Sequence, residues 1–412
     1  MSDSSVATAR AAVADTHAGL TIVLLALLLS IQPVTTDLYL PALPALTRDL
    51  SASVAAGQLT LSALLLAFGC SQLVWGPLSD RFGRRPVLLA GLAIYTVASL
   101  GSAFAPSMAL LIAWRTAQGA AMGAVVMCAR AIVRDLYSPL AGARAMSKAL
   151  TGLGLVACVC APLGGLLTVW LGWRAALLAL TGYAVLTLAL VALRMPETLA
   201  RPNPHALQPG VLLRTWGTVL RHPTFWAFSL LTTAAYGGLF TFLASSSFVF
   251  IEVLGLSRTQ YGWVLLSTAL AYFVGTFVCR TLLARHGLRR TVALAGALSL
   301  SGGTLMTLVA WAGWHQPWAL LAPFYLFMLG HGIHQPCGQS GAVGPFPQAA
   351  GVASALNGFM MMLAAFAIGG WVGAHLDGSI WPLVNGVWFW SVLLAAIAWT
   401  LVQKFGEPRE RP

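Results

Sequence analysis

Charge in this chain is confined almost wholly to short turns between long apolar runs, and one of those turns occurs twice. The first copy is Gly76-Pro77-Leu78-Ser79-Asp80-Arg81-Phe82-Gly83-Arg84-Arg85-Pro86, and the second is Ala284-Arg285-His286-Gly287-Leu288-Arg289-Arg290. Each is followed by an apolar run that reaches Ala-Gly, at Ala90-Gly91 and at Ala295-Gly296. Gly83 and Gly287 lie 204 positions apart in a chain of 412. A repeat of half the chain length, with a basic turn at the same place in each copy, implies two parallel bundles, the arrangement of one large class of membrane transporters.

Between the turns, twelve apolar runs are long enough for a bilayer core that needs roughly 20 residues per helix. Their approximate spans are 19–42, 57–78, 86–104, 107–133, 146–169, 174–194, 224–251, 262–283, 290–312, 317–336, 350–374 and 382–404. The tenth runs into the polar stretch His331 to Gln339. The expected fold class is therefore an all-α polytopic membrane protein with twelve transmembrane helices in two six-helix bundles. Composition agrees: 58% of residues are apolar, 8% are charged, and the mean hydropathy is +0.81, outside the usual range of soluble domains.

An even number of spans puts both termini on one side, and the basic residues say which. With the N-terminus inside, nineteen Lys and Arg fall to cytoplasmic segments, three lie outside (Arg48, Arg174, Arg258) and Arg115 lies within a span. The same bias explains most of the +12 net charge, so nucleic-acid binding is not needed to account for it. Residues 1–18 read as a cytoplasmic tail, 19–194 as the first bundle, 195–223 as a proline-rich cytoplasmic linker, 224–404 as the second bundle and 405–412 as a cytoplasmic tail. The first apolar run is too long and uninterrupted for a cleaved signal peptide. The six cysteines all fall in apolar segments without a CxxC pair, and read as structural thiols in a chain with no cofactor and no metal site. No phosphate-binding loop is present to suggest ATP-driven pumping, and no polar segment is long enough for a catalytic domain, so the chain is not read as an enzyme.

Ionisable groups inside a membrane are costly unless paired or hydrated, which makes them functional candidates. Asp37, Arg115 and Glu252 qualify. Asp37 is placed near the outer end of the first span and Arg115 about eight residues into the fourth, at similar depth by the rise of about 1.5 Å per residue. The two are expected to face one cavity. Pairing with a cation favours an ionised carboxylate, and loss of that partner favours the protonated one. Asp37 is thus the expected proton carrier and Arg115 its coupling partner, with Gln118 as a hydrogen-bonding neighbour; the competing reading is a helix-end anchor and a structural pair. Glu252, at the end of the seventh span near Arg258, and Asp377 in the last outer loop are read as solvated. The second half offers aromatic surface instead of acids: Tyr236 and Phe240, with Phe242, Tyr272, Phe273, Phe324, Tyr325 and Phe327, suit a flat amphipathic ligand. His331 and His334 leave three readings open: a pH-sensitive gate, a metal site, and satisfied structural histidines.

Several motifs point to one family. Gly76 to Arg85 resembles the signature turn between the second and third helices of the major facilitator superfamily. Arg115-Thr116-Ala117-Gln118-Gly119-Ala120 resembles the fourth-helix motif of its drug:proton antiporters. Gly152, Gly154, Pro162, Gly164 and Gly165 are similar to the fifth-helix antiporter motif, with Ala161 where that pattern has Gly. Asp37-Leu38-Tyr39-Leu40-Pro41-Ala42-Leu43-Pro44, and Pro345-Phe346-Pro347 with Ala350 to Leu356, resemble the bicyclomycin and chloramphenicol resistance branch. The resemblance covers essentially the whole chain.

It implies proton-coupled efflux of small amphipathic drugs, phenicol- or bicyclomycin-like, across a bacterial inner membrane by alternating access, with drug, protons and the lipid bilayer as partners and a monomer as the expected state. Asp37, Tyr39, Arg115, Gln118, Tyr236 and Phe240 become the substrate-binding candidates. Gly76, Asp80, Arg81, Gly83, Arg84, Arg85 and Asp135 become a latch between the halves in the outward-facing state. Gly154, Pro162, Gly164 and Gly165 become a hinge or tight seam, plain packing being the alternative. A proton-coupled carrier of a small metabolite is the other reading on the same fold, and a non-transporting sensor the third.

Overall fold

The computed structural model describes residues 18–137, 139–200, 202–204, 206–346 and 349–406. Most of both tails, Arg201 in the linker and Pro347 of the branch motif lie outside these residues. The first crossing is broken: α1 (Ala18–Asp37) gives way to a short 3-10 turn over Leu40–Ala42 and then to α2 (Leu43–Asp49). Five continuous helices follow: α3 (Val54–Phe82), α4 (Arg84–Ala103), α5 (Met108–Leu136), α6 (Pro139–Leu171) and α7 (Trp173–Arg194). The segment between the halves carries α8 (Pro209–Leu220), a helix that its proline content and charge did not suggest. The second half contains α9 (Pro223–Phe248) with a π-turn over Val249–Val253, α10 (Arg258–Trp311), α11 (Pro317–Val343), α12 (Ala350–His375), α13 (Trp381–Trp399) and α14 (Leu401–Phe405).

Ten of these stretches are long and apolar enough to cross a membrane, and the twelve crossings follow from two physical facts. α10 has 54 residues, about 80 Å of helix, far more than one bilayer. Gly287, at φ 70° and ψ 178°, breaks it. Both limbs then lie on the same stretch of α11: Gly275 packs on Leu329, twelve residues before the break, and Gly330 packs on Ser299, twelve residues after it. α10 is a hairpin, and it counts twice. α11 is the twelfth crossing, less apolar because it carries His331, His334, Gln335 and Gln339.

Gly83 makes the corresponding hairpin of α3 and α4 with φ 100° and ψ 156°. A side chain rarely adopts positive φ, so glycine at both turns of the repeat has a backbone reason. The repeated basic turns define one face of the molecule. At the opposite face Trp170, Trp311, Trp314 and Trp318 are exposed, as expected of aromatic residues at a membrane interface.

The halves meet along two seams. α3 and α12 touch from Ala55 against Gly373, through Gly69 against Met362, to Arg130 Nη1 of α5 donating to Ser354 Oγ at 3.4 Å near the turn face. α6 and α10 meet where a Cβ on Gly262 would sit 2.7 Å from the Pro162 Cα. Away from these seams the exposed surface is apolar, with Leu155, Val159 and Leu171 at 61–70% exposure, a surface that only lipid or another apolar body would cover.

Candidate functional site

The break in the first crossing puts Asp37 where helix geometry stops. Pro33, Pro41 and Pro44 have no N–H to donate, so the carbonyls of Leu29, Asp37 and Leu40 lose their usual i+4 partners. The span continues to Asp49, which places Asp37 twelve residues from that end and deeper than the sequence suggests. Its carboxylate accepts a hydrogen bond from the Thr36 hydroxyl at 2.8 Å and lines a cavity of about 310 Å³ between the two halves.

Arg115 does not enter that cavity. It is fully buried, donating from Nη1 to Gln118 Oε1 at 2.6 Å and from Nη2 to the Thr35 carbonyl at 3.2 Å, with its guanidinium 4.3 Å from the centre of the Tyr39 ring. Gln118 passes the network to Ser99 (2.6 Å), Thr35 meets the Tyr95 hydroxyl at 2.6 Å, and Tyr39 meets Thr60 at 2.6 Å. No ion pair joins Asp37 and Arg115 among the described residues. The two lie at similar depth, as expected, since Arg115 grips the Thr35 carbonyl two residues before Asp37, but the Asp37 side chain points away from it into the cavity. Tyr39, Arg115 and Gln118 therefore form a polar hub inside the first bundle rather than a cavity wall.

Tyr236 and Phe240 do line the cavity, one helical turn apart on α9 and stacked with centroids at 6.2 Å. Facing them from α11 are His331, Gln335 and Gln339. His331 bonds the Ala235 carbonyl through Nδ1 at 3.0 Å, while His334 is fully buried and outside the lining. No cluster of three metal-ligating side chains forms among the described residues.

The repeated turn assembles a second site. Arg84 is 5% exposed and donates to Asp80 (2.5 Å), Asp135 (2.9 Å) and Ser79 Oγ (2.7 Å). A residue that sequence reasoning missed, Glu197 beyond α7, accepts the backbone N–H groups of Arg84 and Arg85 at 3.0 Å each, a carboxylate capping the start of α4. Arg85 reaches the carbonyls of Met195 and Ala192. Arg81 is exposed over Phe82, and Gly76 lines a neighbouring cavity with Asp80, Arg84, Trp216 and Val352. In this structure the cluster ties together helices of the first half and the linker, through Glu197, the Met195 carbonyl and the Asn203 N–H donating to the Asp80 carbonyl at 2.9 Å.

The glycines of α6 serve two neighbours. A Cβ on Gly164 would lie 2.1 Å from the Leu38 carbonyl oxygen, and one on Gly165 would lie 2.6 Å from the Arg258 carbonyl oxygen of the other half. Gly154 has more room, with Phe273 at 3.8 Å. Pro162 faces Gly262 across the seam.

Glu252, read as a solvated helix end near Arg258, is partly exposed and pairs with Arg48 at 2.8 Å across the two halves. Arg48 and Glu252 are 204 residues apart, the spacing of Gly83 and Gly287. Asp377 is exposed, as read, and accepts from the Ser379 N–H and hydroxyl, which hold its carboxyl below the usual carboxylate range.

The profile of the Major Facilitator Superfamily matches residues 25–369. The chain belongs to the Major Facilitator Superfamily. It is 34% identical to Multidrug resistance protein D of Escherichia coli (strain K12), over 82% of this chain and 84% of that protein. It is 30% identical to the Chloramphenicol resistance protein of Pseudomonas aeruginosa, over 89% of this chain and 82% of that protein. These relatives place this superfamily member in the drug:proton antiporter branch, and with its apolar helices they make it a multi-pass inner-membrane protein. The fold matches the human organic anion transporter MFSD10, with a TM-score of 0.68 and 22% identity over 92% of this chain and 98% of that one. Members of this superfamily carry small molecules and are generally not enzymes.

Proposed function

We propose that this transporter exports small amphipathic drugs, phenicol- or bicyclomycin-like, in exchange for protons. The observation that carries the reading is Asp37: among the described residues, the one charged side chain lining the cavity between the halves, at a break in a transmembrane helix. Broken helices around a midplane cavity are the usual way such carriers build a binding site.

The arginine bias places the repeated turns, both termini and the 195–223 linker on the cytoplasmic side. The face of Arg48 and Glu252 is then periplasmic and closed, and the cavity, with exposed Gln339 in its lining, opens toward the cytoplasm. A monomer rocking its two bundles (19–194 and 224–404) about the α3–α12 seam would expose Asp37 to each side in turn. Asp37 carries the proton, Tyr236 and Phe240 hold the flat part of the drug, and Arg115 acts through Thr35 rather than by touching either. The Arg84 cluster keeps the inner end of the first bundle rigid and serves as the latch when the cytoplasmic side closes.

The test is efflux of a phenicol from cells and inverted vesicles, for wild type, for Asp37→Asn and with the proton gradient collapsed. Uncoupler-sensitive efflux lost in Asp37→Asn is the expected result. Gradient-driven efflux that survives in Asp37→Asn would remove Asp37 from the mechanism, and accumulation of compound by wild-type cells would reverse the direction.

A further inference from the structure

The α11 wall of the central cavity carries three hydrogen-bonding side chains at intervals of four residues: His331, Gln335 and Gln339. Four residues advance about 6 Å along a helix and return nearly to the same face, so the three form a row about 12 Å long. The row grades from buried His331 and Gln335 to exposed Gln339, and so runs from the depth of the cavity to its mouth.

Each member has part of its hydrogen-bonding capacity committed and part free. His331 Nδ1 meets the Ala235 carbonyl, an acceptor, so Nδ1 carries the proton and Nε2 is left as an acceptor. Its ring is held between Phe327, with centroids 6.4 Å apart and stacked, and Tyr272 at 5.5 Å. Gln339 Nε2 donates to Gln335 Oε1 at 3.1 Å, which leaves the Gln335 amide as a donor and the Gln339 carbonyl as an acceptor. Along the row the cavity meets acceptor, donor, acceptor. Much of the remaining wall is apolar: Leu61 and Leu65 from the first half, Leu243 and Met361 from the second, with Tyr236 and Phe240 as an aromatic surface. Among the described residues no Lys or Arg lines it.

We infer that His331, Gln335 and Gln339 are specificity-determining residues for neutral amphipathic substrates whose polar edge presents donor, acceptor and donor groups in sequence, as a carbonyl flanked by hydroxyl or amide N–H groups does. The inference rests on the export reading and names the substrate class of its cavity. A ligand with such an edge satisfies the row, while one lacking a member of the pattern leaves a buried partner unsatisfied. An extended apolar cation gains nothing from α11 and anions meet Asp37.

The test compares export of chloramphenicol with that of its analogue in which fluorine replaces one hydroxyl, in wild type, Gln335→Leu and Gln339→Leu. Both substitutions keep volume and remove hydrogen bonding, and the readout is the ratio of the two rates, which general damage to the protein does not change. Wild type is expected to favour the hydroxylated compound about tenfold, the ratio that follows from one unmet hydrogen bond of about 1.4 kcal/mol. At least one variant is expected to bring the ratio to about one. An unchanged ratio in both variants overturns the row as a selectivity element while leaving export intact, as does a wild type that exports both compounds equally. A wild type that exports neither removes the export reading itself, and the inference with it.

Discussion

Replacing Arg84 by alanine is expected to destabilise the first bundle far more than replacing either acid that it holds. Arg84 has a side chain 6% exposed and serves three oxygens at once, whereas Asp80 is 46% exposed and Asp135 is 18% exposed. Removing the arginine strands Asp135 in a poorly hydrated place and leaves Ser79 Oγ without its donor. Breaking a buried pair in this way costs about 3–5 kcal/mol, and partial access of Asp135 to water puts the figure near the low end, about 3 kcal/mol. Asp80→Asn removes a pair that water already screens, a loss of under about 1 kcal/mol. Asp135→Asn should fall between. Arg84→Lys keeps the charge but not the planar fork, and should lose about half of the stabilisation. The assay is reversible unfolding in mixed micelles followed by tryptophan fluorescence. The expected order of loss is Arg84→Ala, then Asp135→Asn, then Asp80→Asn, with Asp135→Asn added to Arg84→Ala restoring part of the loss. The reasoning fails if Asp80→Asn is as costly as Arg84→Ala, or if the double variant is no better than Arg84→Ala.

Three further outcomes follow from other contacts. The Arg48–Glu252 pair has side chains 58% and 38% exposed, so neutralising either should shift opening of that rim by only about twofold; Glu252→Arg should open it further and Arg48→Glu on top should close it again, read by maleimide labelling of Ala52→Cys. Gly164→Val should insert normally and fail to transport, since its Cβ meets the Leu38 carbonyl oxygen at 2.1 Å, whereas Gly154→Ala, with 3.8 Å to Phe273, should transport at nearly the wild-type rate. Asp377 has its carboxyl held below the usual range by Ser379, so its contribution is present above the ordinary carboxylate pKa of about 3.9 and is lost only as pH falls through the lowered value; Asp377→Asn should lower thermal stability slightly, and by the same amount at pH 6 as at pH 8.

Apolar run length and the spacing of Gly83 and Gly287 made the twelve crossings legible, because both are local properties of the chain. Tyr236 and Phe240 stand out in the sequence only as part of an aromatic-rich second half; that they share one cavity face is a property of the folded α9. What the residues could not show was direction around a helix axis where the helix itself breaks. Depth put Arg115 beside the first crossing correctly, but the interruption between Asp37 and Leu43 turns the carboxylate to the cavity and the Thr35 carbonyl to the arginine. Partners distant in sequence were hidden for another reason. Nothing near Glu252 points to Arg48, and nothing near Arg84 points to Glu197, since each contact depends on how two finished helices come together.

If Asp37 carries the proton as proposed, the same break gives its charge a route to the interface between the halves. Leu38 follows Asp37 directly, and its carbonyl oxygen lies against Gly164; Gly165, the next residue of α6, lies against the Arg258 carbonyl of the second half. Two adjacent glycines thus put three backbones in contact with no side chain between them to deform. Backbone contacts this close transmit displacement better than side chains, which can absorb it by changing rotamer. Arg115 holds the other flank of the break through Thr35, so movement at Asp37 is resisted on the hub side and free to act on α6. In the proposed cycle, a change in the carboxylate's charge or hydration that shifts the Leu38 carbonyl would therefore press on the α6–α10 seam, with the α3–α12 seam, in contact along its length, as the axis about which the halves would turn.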